Sequence, residues 1–170
     1  MARVFVTVGM SNWPFDRLLT AVAGLPTEHE VFVQSGCSEV PLACPSTAFL
    51  TPAELEHRIR TCDVVITHAG NTVRLAQRWG RVPIAVARIA ARGEAANDHQ
   101  VDFLRQEEAC TPVVAIWELA ELADAIARHP GRAAELARRP VPQPVAPEQL
   151  RAAMNELCRR LVRPRTPGRR

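Results

Sequence analysis

Short apolar runs alternate with amphipathic segments along most of this chain. The apolar runs consist mainly of Val, Ile, Ala and Phe, and they cover residues 3–9, 30–36, 47–50, 63–67, 83–87 and 112–116. They are continuous rather than alternating, which is typical of strands covered on both faces of a parallel sheet. The first two runs end at glycine, where a strand gives way to a turn.

Segments with helical periodicity separate these strands. The predicted helices cover residues 14–25, 51–61, 71–79, 98–108, 117–128, 131–139 and 147–162. The run Thr51-Pro52-Ala53-Glu54 has the N-cap, first-turn proline and acidic third position of a helix start. The run His129-Pro130-Gly131 is predicted to end the helix before it. Strands alternating with helices predict an α/β fold with a doubly wound parallel sheet.

The 170 residues are enough for one domain with a sizeable core. We expect an α/β domain over residues 1–139, a proline-rich linker over 140–147, a C-terminal helix over 148–162 and a basic, disordered tail over 163–170. The helix carries one apolar stripe, which docks either back on the domain or on a partner: Leu150, Met154, Leu157 and Leu161. We expect a cytoplasmic protein, because the chain shows no signal peptide and no apolar stretch of the roughly 20 residues that span a bilayer.

The net charge of +3 hides a difference between the body and the tail. Residues 159–170 carry six arginines and no acid, which leaves 15 basic against 18 acidic residues in the rest of the chain. The tail is either a solvated end or a peripheral contact with anionic lipid, worth about 1 kcal/mol per arginine near the surface. It has no aromatic residue, so nucleic-acid binding is not predicted. Five cysteines without a CxxC pair predict free thiols rather than disulfides or a zinc site.

Polar residues and glycines follow several strands at the edge of the sheet where doubly wound folds bind ligands. After the first strand, Gly9 allows close backbone approach, and Ser11 or Asn12 either caps the next helix or binds an anion. After the second strand, Gln34 either bonds a base edge or a sugar hydroxyl beside Gly36, or faces solvent.

The run His68-Ala69-Gly70-Asn71-Thr72 lies where another strand gives way to a helix. Gly70 lets the turn close on a ligand, and Asn71 or Thr72 can cap the helix whose free N–H groups point at phosphate. The alternative is a turn in which His68 bonds only to the backbone.

The run Asn97-Asp98-His99-Gln100 begins another predicted helix. Asp98 favours a helix N-terminus, and His99 and Gln100 project from its first turn. Alone this is an ordinary helix start, but together with the strand ends it predicts a binding site. The chain has no GxxxxGK[ST], GxGxxG or HExxH motif, so a P-loop, a nicotinamide or flavin fingerprint and a metal site are not predicted.

In this order, these segments resemble the C-terminal, donor-binding domain of glycosyltransferase family 28. VFVTVGM followed by FDRLL resembles the family's first strand, glycine turn and helix, and VFVQSG resembles its second strand. CDVVITHAG resembles its strand and His-Ala-Gly turn, and NDHQ resembles its Asn-x-His-Gln element. The likeness covers residues 3–128 and is greatest to the small stand-alone members of split, two-protein transferases.

The resemblance implies a Rossmann-like single lobe of a GT-B fold that binds a UDP-sugar, carrying GlcNAc, glucose or glucuronate. A membrane-associated partner subunit would bind the lipid-linked or polysaccharide acceptor. Backbone amides at Gly9 and at residues 70–72 would hold the diphosphate, and His99 and Gln100 would reach the sugar or phosphate. Such enzymes stabilise the leaving diphosphate with helix dipoles and side chains, so no metal and no cofactor is expected. The catalytic base is not assigned.

One segment departs from the family's pattern. The family usually has a ribose-binding glutamate soon after His-Ala-Gly, but here that position falls on Ala76. Arg74 or Gln77 could replace it, while Arg88 and Arg92 are either phosphate or sugar-carboxylate ligands or solvated loop arginines. Two hypotheses therefore stay open: a catalytic donor-binding subunit, and a non-catalytic regulatory or scaffolding partner that binds a nucleotide sugar. Another kind of nucleotide enzyme, for example an epimerase, would need dimerisation to close its cleft.

Overall fold

The computed structural model describes residues 1–26, 28–39, 41–141 and 147–161. The strands are β1 (Arg3–Thr7), β2 (Glu30–Gln34), β3 (Ser46–Thr47), β4 (Val64–His68), β5 (Ile84–Val86) and β6 (Val114–Ile116). The helices are α1 (Asp16–Ala23), α2 (Pro52–Thr61), α3 (Asn71–Arg78), α4 (His99–Cys110), α5 (Leu122–Leu136) and α6 (Pro147–Leu161). Short 3₁₀ turns lie at Ala90–Arg92 and Leu119–Glu121.

All six strands form one parallel sheet in the order β3-β2-β1-β4-β5-β6. This confirms the predicted α/β class and gives a Rossmann-like lobe. The chain first builds outward from β1 to β3 and then crosses back to β4, so β1 and β4 are neighbours although α1, β2, β3 and α2 separate them in sequence. Sheets of this order bind ligands at the carboxyl ends of the two strands where the direction reverses.

Successive residues of the central strands pack on opposite faces of the sheet. Val4 and Val6 of β1 lie in a buried cluster with Leu18 of α1 and Ile126 of α5. Phe5, between them, lies in another cluster with Ile59 of α2 and with α3. Both faces of the sheet are therefore covered, which explains why the strands are continuous apolar runs.

The helix start predicted at Thr51 is confirmed. The hydroxyl oxygen of Thr51 accepts a hydrogen bond from the backbone N–H of Glu54 at 3.3 Å, and the Glu54 carboxylate accepts one from the backbone N–H of Thr51 at 2.8 Å. This reciprocal capping box fixes α2 beside the carboxyl ends of the strands.

The prediction of two helices separated at His129-Pro130-Gly131 is wrong. Helix α5 runs through Pro130 without interruption, after the 3₁₀ turn at Leu119–Glu121. Proline removes one backbone donor, but buried anchors hold the helix on both sides of it. Ile126 and Leu136 are buried, and the Nε2 of His129 lies 2.8 Å from the carbonyl oxygen of Val82.

The C-terminal helix exposes its apolar stripe. Leu150, Met154 and Leu157 are 53%, 57% and 57% exposed, so the predicted docking of the stripe on the domain is not seen. Within the described residues, no helix is long and apolar enough to cross a membrane. Most of the predicted linker (142–146) and the basic tail lie outside the described residues.

Candidate functional site

A cavity of about 400 Å³ opens at the carboxyl ends of β1 and β4, where the strand order reverses. Its polar side comes from the strand ends and the start of α3, and its apolar side from α2 and the outer face of α3. The lining residues are Thr7, Gly9, Met10, Gln34, Leu50, Pro52, Leu55, His68, Asn71, Thr72, Leu75 and Arg78. Two predicted runs, at Gly9 and at His68–Thr72, thus lie at the same cavity.

The imidazole of His68 is wedged between two glycines. A Cβ atom added to Gly9 would lie 2.6 Å from Cε1 of His68, and one added to Gly70 would lie 2.5 Å from its Nε2. Gly9 also has a φ angle of +78°, which residues with a side chain rarely adopt. Glycine is therefore required at Gly9 by backbone conformation and packing, and at Gly70 by packing.

Burial keeps His68 uncharged at neutral pH. The pKa of its imidazole is lowered to about 4, mainly by loss of solvation and also by the nearby charges of Arg88 and His99, while the hydrogen bond with the Thr7 backbone opposes the shift. Its Nδ1 is buried without a hydrogen-bond partner among the described residues. The ring can exchange hydrogen bonds with a ligand, but it supplies no positive charge at pH 7.

The start of α3 has free backbone donors. Gly70 is its N-cap, and no side chain caps the helix, so the predicted cap by Asn71 or Thr72 is wrong. The N–H of Gly70 bonds to the carbonyl of His68 and that of Val73 to Gly70, each at 2.9 Å. The N–H groups of Asn71 and Thr72 have no such partner in the part of the chain described. They leave the positive end of the helix dipole open to an anion.

Gln34 braces the turns instead of facing a ligand. Its Oε1 accepts hydrogen bonds from the hydroxyl of Thr7 at 2.5 Å and the N–H of Gly9 at 3.1 Å. Its Nε2 donates to the carbonyls of Gly9 at 2.9 Å and Ala48 at 2.7 Å. The oxygen and the NH₂ group of this amide thus both bond to the protein, so the prediction that they reach a base or a sugar gains no support, although Gln34 lines the cavity. Gly36 packs beneath the same turn, since an added Cβ would lie 3.1 Å from the Gly9 carbonyl.

Arg88 is a second brace, and neither a ligand arginine nor a solvated one. It is 1% exposed, and its guanidinium lies 4.6 Å from the Phe15 ring centre. Its two terminal nitrogens donate at 2.8–3.1 Å to the carbonyl oxygens of Val8, Trp13, Pro14 and Glu94. Burial lowers its pKa below the ordinary arginine value, and the Glu94 carboxylate opposes this shift.

Gln100 completes the braces. It is 8% exposed, and its Oε1 accepts a hydrogen bond from the backbone N–H of Arg88 at 3.3 Å. The predicted role of Gln100 as a sugar or phosphate ligand is therefore not supported by its position. We call Gln34, Arg88 and Gln100 the brace residues, and Gly9, His68, Gly70, Asn71 and Thr72 the open-turn residues.

The rest of the Asn97–Gln100 run is exposed and bonds within itself and to the preceding loop. The Oδ1 of Asn97 accepts the backbone N–H of His99 at 3.2 Å and contacts the ring Nδ1. Asp98 is the N-cap of α4, as its predicted place at a helix N-terminus requires, but its side chain does not cap the helix, because its Oδ1 accepts the N–H of Ala90 at 2.8 Å. His99 is exposed and is not among the residues that line the cavity, so its predicted contact with the sugar or phosphate stays a prediction.

Ser11, Asn12 and Arg92 lie outside the lining of the cavity. The Oγ of Ser11 accepts the N–H of Trp13 at 3.2 Å, and α1 begins only at Asp16, so neither Ser11 nor Asn12 caps it. Arg92 is exposed and lines a separate cavity of about 260 Å³ beside Arg17.

The two candidates to replace the missing glutamate face away from the cavity. Arg74 pairs with the buried carboxylate of Glu107, and Gln77 is 2% exposed and donates to the Thr111 hydroxyl at 2.8 Å. Ala76 is fully buried among core residues. Neither Arg74 nor Gln77 lines the cavity, so the structure gives no support to either as a replacement for the ribose-binding glutamate.

The cavity wall includes residues that the motifs did not indicate. Leu50, Pro52 and Leu55 form its apolar side with Leu75, and Arg78 lies on the α3 wall. Helical spacing could have indicated Leu75 and Arg78, because positions 71, 75 and 78 share one face of a helix. The capping box at Thr51 could have indicated that α2 begins beside the strand ends.

The described lining residues include no carboxylate. Within the described chain, no group of three or more His, Cys, Asp or Glu residues is placed to hold a metal ion. No protein-family model and no curated protein matches the chain, so the resemblance to family 28 depends on the sequence motifs alone.

Proposed function

We propose that this chain is the donor-binding subunit of a two-component glycosyltransferase that uses a UDP-sugar. The observation that carries the proposal is the pair of free N–H groups at Asn71 and Thr72, which open with His68 onto a cavity that has an opposite, apolar wall. The polar end suits a diphosphate and the apolar end suits a base.

The open turns suit a diphosphate for three reasons. Two unpartnered amides at a helix start attract an anion. Gly9 and Gly70 carry no side chains that would keep phosphate oxygens away. Hydrogen bonds to a charged group are worth about 1.5–3 kcal/mol each. Charge grows on the diphosphate as the glycosidic bond breaks, so the same donors would stabilise the transition state.

The remaining wall suits a nucleoside. Leu50, Leu55 and Leu75 offer an apolar surface for a base, and Arg78 offers donors to its polar edge or to the ribose. The volume of about 400 Å³ falls within the range of about 300–1,000 Å³ that is usual for small-molecule sites. The choice of uracil follows from the family resemblance.

The acceptor would be held by a membrane-associated partner beside this cavity. His68 is a weak base because burial lowers its pKa to about 4, and the lining residues that the structure describes include no carboxylate, so the partner would supply the base for the acceptor hydroxyl. Met10 and Phe49 are 78% and 52% exposed. Each directly follows a residue whose carbonyl bonds to Gln34, and we propose these two exposed side chains as contacts for the partner.

Calorimetry with uridine, UMP, UDP and the three UDP-sugars tests the proposal. UDP should bind at least about tenfold more tightly than uridine, because one charge-assisted hydrogen bond to phosphate is worth that factor. Gly70→Ala should abolish the difference by displacing His68, whereas Gly80→Ala, where an added Cβ meets nothing within 4 Å, should keep it. Equal affinity for UDP and uridine, or no binding, would overturn the proposal.

The lack of a carboxylate in the described lining also favours a second candidate, a non-catalytic partner that binds a nucleotide sugar. The two candidate functions differ in whether the UDP-sugar is consumed. A transferase subunit incubated with a UDP-sugar and membranes from its own cells should release UDP, and His99→Ala should slow this release, because the family resemblance assigns the His99 imidazole to the sugar or phosphate. Tight binding without release of UDP above the membrane background would favour the non-catalytic role.

A further inference from the structure

A second cavity, of about 580 Å³, lies at the amino ends of β1 and β2, whereas the candidate site lies at the carboxyl ends of the strands. We call it the β2-edge cavity. Its apolar walls include Phe5, Val31, Phe32 and Pro45, and Arg58 enters it from the last turn of α2.

Arg58 brings a cationic guanidinium to this cavity, and it interacts electrostatically with the Glu54 carboxylate one turn earlier on α2. Its guanidinium carbon lies 3.6 Å from the centre of the Phe32 ring, so the ring covers one face of the group. None of its N–H donors has a hydrogen-bond or ion-pair partner among the described residues. The neighbouring Arg3, by contrast, is paired with Asp63 at 3.0 Å. A planar guanidinium held flat in this way presents its N–H groups edge-on to a ligand.

The edge of β2 adds unpaired backbone groups. Strand β3 pairs only with Val33 and Gln34. The N–H groups of Val33 and Ser35 point to that edge, toward the carbonyls of Pro45 and Thr47, and alternation along the strand sends the N–H of Val31 the same way. Among the residues that the structure describes, no strand pairs with Val31 on that side. His29 also lines the cavity, and its Nδ1 is buried without a partner among the described residues.

We propose that the β2-edge cavity binds a small organic monocarboxylate with an apolar body. The planar carboxylate matches the N–H donors of Arg58, and the apolar body fits against Phe32, Val31 and Pro45. Glu30 lines the same cavity and Asp63 neutralises Arg3, so a second negative charge on the ligand would be repelled. The proposal is independent of the nucleotide site.

Titration of the ¹⁵N-labelled chain, followed by amide shifts, tests this site with three probes: benzoate, benzamide as its uncharged isostere, and inorganic phosphate. Benzoate should shift the amides of Val31 and its neighbours. It should bind at least about tenfold more tightly than benzamide, because the pairing with guanidinium is charge-assisted. Phosphate, which lacks an apolar body, should bind more weakly than benzoate.

Substitution of Arg58 tests whether benzoate binds specifically in this cavity or is attracted only by the general positive charge of the surface. Arg58→Gln should lower benzoate affinity at least about tenfold and leave benzamide affinity unchanged. Arg60→Gln is the matched control, since Arg60 lies on the same helix but over the Trp79 ring, at 4.4 Å. If Arg58→Gln does not fold, Arg58→Lys carries the test, because it keeps the charge, loses the planar donors and should still weaken binding. No shift with benzoate, or equal losses in the Arg58 and Arg60 variants, would overturn the proposal.

Discussion

The open-turn residues and the brace residues lie at the same end of the sheet and contain similar chemical groups, yet they differ in what holds their polar atoms. The N–H groups of Asn71 and Thr72 have no partner among the described residues, and the His68 ring borders the cavity. The side chains of Gln34 and Arg88 are buried and donate to backbone carbonyls. The first group is available to a ligand, while the second holds the turns that present it.

This difference shows why a polar residue at a strand end does not by itself indicate binding. A buried amide or guanidinium must find protein partners, because leaving its hydrogen-bonding capacity unused costs free energy. Once those partners are loop carbonyls, the side chain fixes the loop. We therefore expect substitutions of brace residues to lower stability, and substitutions of open-turn residues to lower ligand affinity.

The largest expected effect on stability is that of Arg88→Met. It removes four hydrogen bonds to carbonyls and leaves those buried oxygens unpaired, so the free energy of unfolding should fall by about 3–5 kcal/mol. Urea unfolding followed by circular dichroism measures it. The exposed Arg92→Met should change stability by less than about 0.5 kcal/mol. Equal effects of the two substitutions would contradict a bracing role for Arg88.

Acid should weaken the fold through His68. Its folded pKa of about 4 lies below the ordinary value of 6.5, so between these pH values the unfolded chain holds a proton that the folded chain does not. Stability from this group is therefore constant above pH 6.5 and falls as the pH drops toward 4, by up to about 3 kcal/mol. His68→Asn should lose less stability than the parent over this range. Parallel stability curves for the two proteins would show that His68 is not held neutral by burial.

Gln34→Leu should lower the free energy of unfolding by about 2–3 kcal/mol and also weaken UDP binding, since it releases the turn at Gly9 and leaves its carbonyl unpaired. Thermal unfolding and calorimetry on the same preparation measure both. The control is Gln106→Leu, because Gln106 is exposed on α4. Loss of stability with unchanged UDP affinity would show that the hydrogen bonds of Gln34 stabilise the fold but do not shape the binding site.

Gly9→Ala is compared with Gly80→Ala, and the expected difference between them is in binding. Gly9 and Gly80 have φ angles of +78° and +69°, so an alanine is strained by about 1 kcal/mol at either position. Only at Gly9 would the new Cβ meet His68. UDP affinity should fall at least about tenfold in Gly9→Ala and stay unchanged in Gly80→Ala. Similar affinities in the two variants would mean that the Gly9 turn does not approach the ligand.

Sequence periodicity was sufficient for the fold, because strand and helix patterns are local and parallel strands bring their carboxyl ends to one edge. The same reasoning predicted that the turns at Gly9 and His68 lie at the same edge of the sheet. It could not predict that Gln34 bonds to the protein whereas the N–H of Asn71 is left for a ligand. The partners of a polar group at a strand end depend on which loops cover it. It also missed the continuity of α5 through Pro130, where packing of His129 and Leu136 outweighs a local helix-breaking signal.

Amide shift mapping with UDP tests the central claim most directly, that the free donors at the start of α3 bind the diphosphate. In the ¹⁵N-labelled chain, UDP should shift the amides of Gly9, Asn71 and Thr72 most, uridine should shift them little, and the amides near Arg88 should change least. Unchanged amides at Asn71 and Thr72 at a UDP concentration that saturates binding would contradict the account.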